Sequence, residues 1–267
     1  MAGDLTGVEL KLGRAETHLA QLDRLLKDAL HPDLYTFQIK YDAESGEHRY
    51  CVHNLPPIAS DWRLIVGEIL FNLRSALDHL ACQLVVLDGK KIGKHTQFPI
   101  HKAPLYAKDK LVPVNLDPPI RDPNILKALY ECQPYVGPSG EPMNVDRHPL
   151  WQLRVLNNID KHRLLLGVVH ALDAFNPMYL ENLGGLPRPK MRLNPEPLED
   201  GSPVAGFDFG GAEPPADFDP HIALSVVIDE PDDLPYVRRV PVVRLLRTHC
   251  GWVNHAVLDL HFRRLFP

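Results

Sequence analysis

Two stretches of the chain gather residues able to handle a proton and an anion together. They are Asn72-Leu73-Arg74-Ser75-Ala76-Leu77-Asp78-His79-Leu80 and Asn157-Asn158-Ile159-Asp160-Lys161-His162-Arg163. Each places Asn, Asp, His and Arg where a core-facing helix would carry Leu and Ala. Imidazole titrates near neutrality and can move a proton. Guanidinium keeps its charge and can stabilise the extra negative charge of a phosphorane. In the first string His79 is therefore the candidate acid/base and Arg74 the candidate phosphate contact, with Asn72 and Asp78 to orient them and Glu68 and Ser75 nearby. In the second, Asp160, Lys161, His162 and Arg163 are candidates for a phosphate or ligand rim. Asn72 and His79 are seven residues apart and share a helical face. If that face is a site, the helix beginning at Pro149 packs beside it. Asp160 or His162 then comes within hydrogen-bond or one-water reach of Asn72, Ser75 or His79, and Phe71 and Cys82 are buried as the dry end of the groove.

The Arg74/His79 pair, with four residues between, resembles the motif of the HEPN superfamily, helical-bundle proteins in which an Arg and a His with four to six residues between them mark metal-independent ribonucleases. The resemblance covers this motif and the bundle architecture. It implies cleavage of RNA by attack of its own 2′-hydroxyl without a cofactor. It also implies a homodimer in which the motifs of two subunits meet, with Glu68, Asn72, Ser75 and His79 near the two-fold axis. Ser75 departs from the family pattern, which commonly has a larger polar residue after the Arg. Arg24 with His31, Arg163 with His170 and Arg244 with His249 satisfy the same spacing. Arg74 is singled out by its strong helix and by Asn72, Asp78 and Glu68. The blocks NLRSALDHL, TQFPI, QPY and DKHR also resemble an uncharacterised bacterial family, a resemblance that implies no activity.

Plainer roles stand beside these. Arg74 and Asp78 are i,i+4 and can form an ordinary surface ion pair. Lys161, His162 and Arg163 complement a helix C-terminus. Trp62, Trp151 and Trp252 suit a core better than base stacking, and Gln133-Pro134-Tyr135 reads as a helix stop. A metal alternative would gather His79, His162, His249 and His255 with Asp78, Asp160 and Asp259, but no H-x3-H or H-x-H pair supports it, and no metal is expected. The main rival to an enzyme is a binding or assembly module without catalysis.

The elements that must position these residues follow from periodicity. Apolar residues at three/four spacing predict helices near 4–30, 61–87, 123–132, 149–163 and 241–265. Ser60 and Asp122 are candidate N-caps, and Pro123 occupies a first helical position. Tyr35, Phe37, Ile39 and Tyr41 alternate with polar residues ahead of Ser45-Gly46, which predicts a β-hairpin within 34–54. Residues 164–230 form a second strand-rich insert. Leu164 to Leu172 lean to strand, short strands fall near Met191 and Phe207, and a clear one runs from His221 to Ile228. Thr96 to Ile100 is extended within a proline-containing connection. The expected fold is a single α+β domain over 1–267, a helical bundle carrying two strand-rich inserts.

Composition narrows the classes. The 267 residues are 45% hydrophobic and 24% charged, close to globular averages. With 29 Lys and Arg against 34 Asp and Glu, the net charge of −5 offers no broad field for non-specific duplex DNA or anionic lipid. RNA binding must be local. Apolar runs such as LLLGVV are short for a membrane span, and no signal-peptide stretch opens the chain. Cys51, Cys82, Cys132 and Cys250 form no C-x-x-C pair, which suits a reducing cytoplasm. A Gly-rich phosphate loop, a G-x-S-x-G elbow and an H-E-x-x-H helix are all missing, so the matching NTPase, esterase and zincin readings fall away.

Overall fold

Leucines at helical spacing make α1 (Thr6–Ala29) amphipathic, and Val8, Leu12, Ala15, Leu19, Leu22 and Leu26 are buried along one face. They pack on α2 (Ser60–Leu87), whose Ile69, Leu70, Leu73 and Leu84 are fully enclosed. Burying each such leucine contributes roughly 2 kcal/mol. In this computed structural model, which describes residues 3–107, 110–112, 116–137, 142–162, 166–175, 188–216, 218–229 and 234–266, the two helices run antiparallel. Asp4 lies at Gln83, Gly7 at His79 and His18 at Glu68. By length and composition α2 could cross a membrane, which the short apolar runs of the sequence do not suggest. Here it is the central helix of the bundle, packed by α1, α4 (Pro149–His162) and α5 (Val242–Gly251).

The first core is this helical one. A second gathers Tyr50, Val52, Phe207, Phe209 and Phe218 on an antiparallel sheet. Its order is β1 (Thr36–Asp42), β2 (Glu47–His53), β7 (Pro203–Asp208), β6 (Lys190–Leu193). The ribbon of β5 (Val168–Phe175) and β8 (Ile222–Ile228) joins the cores: Val168, Val226 and Ile228 enter the helical one, Ile222 and Leu224 the aromatic one. A small hairpin, β3 (Leu105–Ala107) with β4 (Lys110–Val112), and α3 (Pro123–Glu131) complete an α+β fold.

Two local expectations need correction, the cap of α2 and the regularity of the terminal helix, and a third holds where it can be read. Ser60 is the first helical residue of α2 and not its cap; Ala59 precedes it and no side chain caps the end. Residues 168–172 are strand, as the sequence leaned, while 163–165 lie outside the described residues. The terminal helix is not regular. After α5 the backbone widens into a π-helix over Trp252–Phe262 and tightens to a 3₁₀ turn at Arg263–Leu265. Val253, Val257, Leu258 and Phe262 are buried, steps of four, five and nine from the first, which suit i→i+5 bonding better than α spacing. Leu260, an apolar position that the regular pattern placed in the helix's apolar set, is 64% exposed. Asp122, by contrast, caps α3 as expected, accepting from the Asn124 and Ile125 amides.

Candidate functional site

The site begins with the extended segment Thr96 to Ile100, which has no strand beside it among the described residues. Phe98 and Ile100 are 1% and 2% exposed, so the backbone groups around them need partners inside the protein. Side chains provide these. The Phe98 amide donates to Asp78 Oδ1 at 2.9 Å, and Arg74 Nη2 donates to the Phe98 carbonyl at 3.0 Å. Arg74 and Asp78, one helical turn apart, also pair at 2.8 Å. Gln133 Nε2 donates to the carbonyls of Pro99 and Leu129, its Oε1 accepts from the His101 amide, and Arg154 reaches the Ile100 carbonyl. At the near end Thr96 Oγ1 donates to the Asp117 carbonyl. Buried Arg74 and half-buried Asp78 thus clamp an extended segment and are more than a surface pair. Burial draws the Arg74 guanidinium below its usual range, and the Asp78 carboxylate opposes that shift.

Beside the clamp, α4 contributes Arg154, Asn157, Asn158 and Lys161, spaced i, i+3, i+4 and i+7 on one face. Together these residues enclose a cavity of about 420 Å³, within the size range of small-molecule sites. Its floor is Arg74, Phe98, Pro99, Ile100 and Asn157; its exposed rim is His95, Gln97, Asp117, Asn158, Lys161 and His162, and Asp78, His101 and Arg154 also line it. Three permanent cations face two carboxylates, with three imidazoles around them. Asn157 is 2% exposed, and its Oδ1 has no hydrogen-bond partner among the described residues.

The residues singled out in the sequence divide. Arg74, Asp78, Lys161 and His162 meet at this cavity. His79 does not. Its ring lies on the α1 side, where a Cβ at Gly7 would come within 2.6 Å of Nδ1. Five residues at 100° each set Arg74 and His79 about 140° apart around the helix axis, so the two side chains diverge. Asn72 is buried and folds back to donate to the Glu68 carbonyl at 2.8 Å. Glu68 pairs with buried His18 at 3.3 Å, and Ser75 is half-buried. Asp160 sits against α2 at Gly67, where a Cβ would approach its carboxylate to 2.6 Å. Burial raises its pKa. Among the described residues no hydrogen bond joins Asp160 or His162 to Asn72, Ser75 or His79. Arg163 lies outside the described residues.

The expected dry end is also revised. Phe71 is 45% exposed, because the ammonium groups of Lys11 and Lys161 lie over its ring, each 5.4 Å from the centroid, and no apolar neighbour need cover it. Cys82 is half-buried; burial, and then Asp78, raise its thiol pKa. His95, His101, Gln133 and Arg154 were not among the sequence candidates, and Asn157 and Asn158, though part of the second string, carried no assigned role. The signal that could have placed Arg154, Asn157 and Asn158 at the site is the polar stripe they form with Lys161 along α4, at i, i+3, i+4 and i+7.

A larger cleft of about 990 Å³ lies between α3 and the π-helix, with Tyr130, Trp252, Ala256 and Leu260 in its mostly apolar wall, and contains none of the singled-out residues. His148 lines it, and His148 and its neighbour His249, both buried, are held down to about 4 by desolvation, His148 also by the charge of His249. Among the described residues no group of three or more His, Cys, Asp or Glu side chains is placed to hold a metal. No family model, curated protein or solved structure matches the chain.

Proposed function

We propose that the protein is a binding module whose cavity between α2, the clamped segment and α4 takes a small phosphate-bearing anion. The observation behind this reading is the convergence of Arg74, Arg154 and Lys161 on one cavity with partly open walls. Arg74 is committed to Asp78 and Phe98, so it sets the field from the floor. Lys161 is exposed and has no carboxylate within ion-pair distance among the described residues; it is the cation that can leave the Phe71 ring to meet a ligand. Adenosine monophosphate is a suitable probe. Calorimetric titration should give saturable binding that weakens about tenfold in Lys161→Ala, the loss of roughly 1.4 kcal/mol. Equal affinity in the variant, or no heat at millimolar probe, would sink the reading.

A second reading keeps the ribonuclease chemistry, because His95, His101 and His162 share the cavity with two guanidiniums. In it one imidazole of this cavity takes the proton of the RNA 2′-hydroxyl as its oxygen bonds to phosphorus, a second protonates the departing 5′-oxygen as the P–O5′ bond breaks, and Arg154 faces the phosphorane. RNA incubated with the protein in EDTA should then yield 2′,3′-cyclic phosphate ends, with activity lost in His162→Ala and retained in His79→Ala. Intact RNA at high protein concentration leaves the binding module alone.

A further inference from the structure

The four-stranded sheet ends in two edges that differ in how they are defended. Edge strands are normally blunted by charge, proline or shortness, because their unpaired backbone groups invite another strand. On one side β6 spans four residues, includes Lys190 and Arg192, and runs into Asn194-Pro195. On the other, β1 is seven residues long, Thr36-Phe37-Gln38-Ile39-Lys40-Tyr41-Asp42, with no proline and a single lysine. Its inner edge pairs with β2; no strand pairs with its outer edge among the described residues. Five of its seven residues are exposed, Ile39 at 37% and Tyr41 at 61%. Phe37, Ile39 and Tyr41 lie on one face of the strand. Phe37 is covered by Tyr35 and Tyr50, whereas Ile39 is exposed and Tyr41, resting on the His48 ring, still leaves most of its surface open.

The strand is also complementary to itself. Laid antiparallel against a second copy about a two-fold axis at Ile39, it sets Ile39 opposite Ile39, Phe37 opposite Tyr41, Gln38 opposite Lys40 and Thr36 opposite Asp42. Aromatic and branched apolar pairs of this kind stabilise a sheet, and no like charges meet. Moving the axis to Lys40 would set the two lysines face to face, and moving it to Gln38 would leave Tyr41 and Asp42 beyond the partner strand. The register centred on Ile39 alone pairs the whole strand without repulsion.

We infer that β1 is a homodimer interface, joining two copies of this chain edge to edge into one continuous eight-stranded antiparallel sheet. The contact is isologous and lies on the sheet, away from the α2 face that the sequence offered for dimerisation. It is independent of what the cavity binds.

The test uses charge at the axis. Ile39→Lys and Ile39→Glu each place two like charges opposite one another, so either variant alone should run as a monomer by light scattering at tens of micromolar, where the wild-type chain is a dimer. Mixed in equal amounts, the two variants should recover a dimer containing one copy of each, read by native mass spectrometry. That recovery requires folded chains and a two-fold axis near Ile39, and thermal melts of the variants close to wild type check the fold separately. A monomeric wild-type chain, a variant that stays dimeric, or a mixture that stays monomeric would each overturn the assignment.

Discussion

The two faces of α2 carry similar residue types and differ in what they touch. On one, Arg74 and Asp78 are turned inward, joined to each other and to both backbone groups of Phe98. On the other, Glu68 and His79 meet α1, and His79 is exposed. Residue type alone does not separate a cavity floor from a solvated helix back; the separation comes from what the chain brings alongside. An extended segment with no strand partner draws Arg, Asp and Gln side chains to its backbone, and the space left beside it becomes the cavity.

The largest effect should come from breaking the inner face. Arg74→Ala leaves the buried Phe98 carbonyl without its donor and Asp78, which is 28% exposed, with the Phe98 amide alone, a loss of about 3 kcal/mol. His79→Ala should change stability by less than about 0.5 kcal/mol. Urea unfolding of the two variants measures the contrast, and a reversed order would dissolve it.

Acid sharpens the comparison in a different way, because the rim imidazoles His95 and His162 are exposed while His148 and His249 are enclosed near the π-helix. The enclosed pair titrates at about 4 in the folded chain. The folded values lie below the unfolded value of about 6.5, so between these limits the unfolded chain binds more protons. Their contribution to stability is therefore complete above about pH 6.5 and lost as pH falls toward 4, on the order of 3 kcal/mol for one such group. Unfolding midpoints at neutral and mildly acidic pH should show this decline, and His249→Leu should flatten it. A slope unchanged in that variant would remove His249 from the account.

The smallest effect tests how closely α4 approaches α2. Gly67→Ala gains roughly 0.8 to 1 kcal/mol of helix propensity, but its Cβ meets the Asp160 carboxylate, and overpacking of this kind costs about 1 to 3 kcal/mol. A net loss near 1 kcal/mol is expected from these opposing terms. Pairing Gly67→Ala with Asp160→Ala should relieve it, a non-additivity visible in a double-mutant cycle. Strict additivity would mean that the two residues do not meet.

Much of the fold was legible because periodicity reports burial directly. The leucines of α1 and α2, the Asp122 cap and the alternation of β1 and β8 each carry their own structural signal. The π-helix was not, since its buried residues also fit an approximate α pattern until the exposure of Leu260 separates the two. Part of the site was legible. Arg74, Asp78, Lys161 and His162 stood out as polar residues on apolar helices, and that anomaly is what a partly buried clamp and a polar cavity require. Gln133 read as a helix stop, and Thr96 to Ile100 as a connection, because nothing local reveals that one grips the other across more than thirty residues of chain. His79 was drawn in by a spacing that says nothing of direction, and about 140° of rotation separates it from its supposed partner.

The most direct test of the cavity is to watch both faces of α2 while a ligand is added. In amide-detected NMR, adenosine monophosphate should shift Phe98 and His101 and the side-chain amides of Asn157 and Asn158, while Gly7 and His79 stay still. Shifts centred on Gly7 and His79, or none at millimolar probe, would contradict the assignment of binding to the inner face.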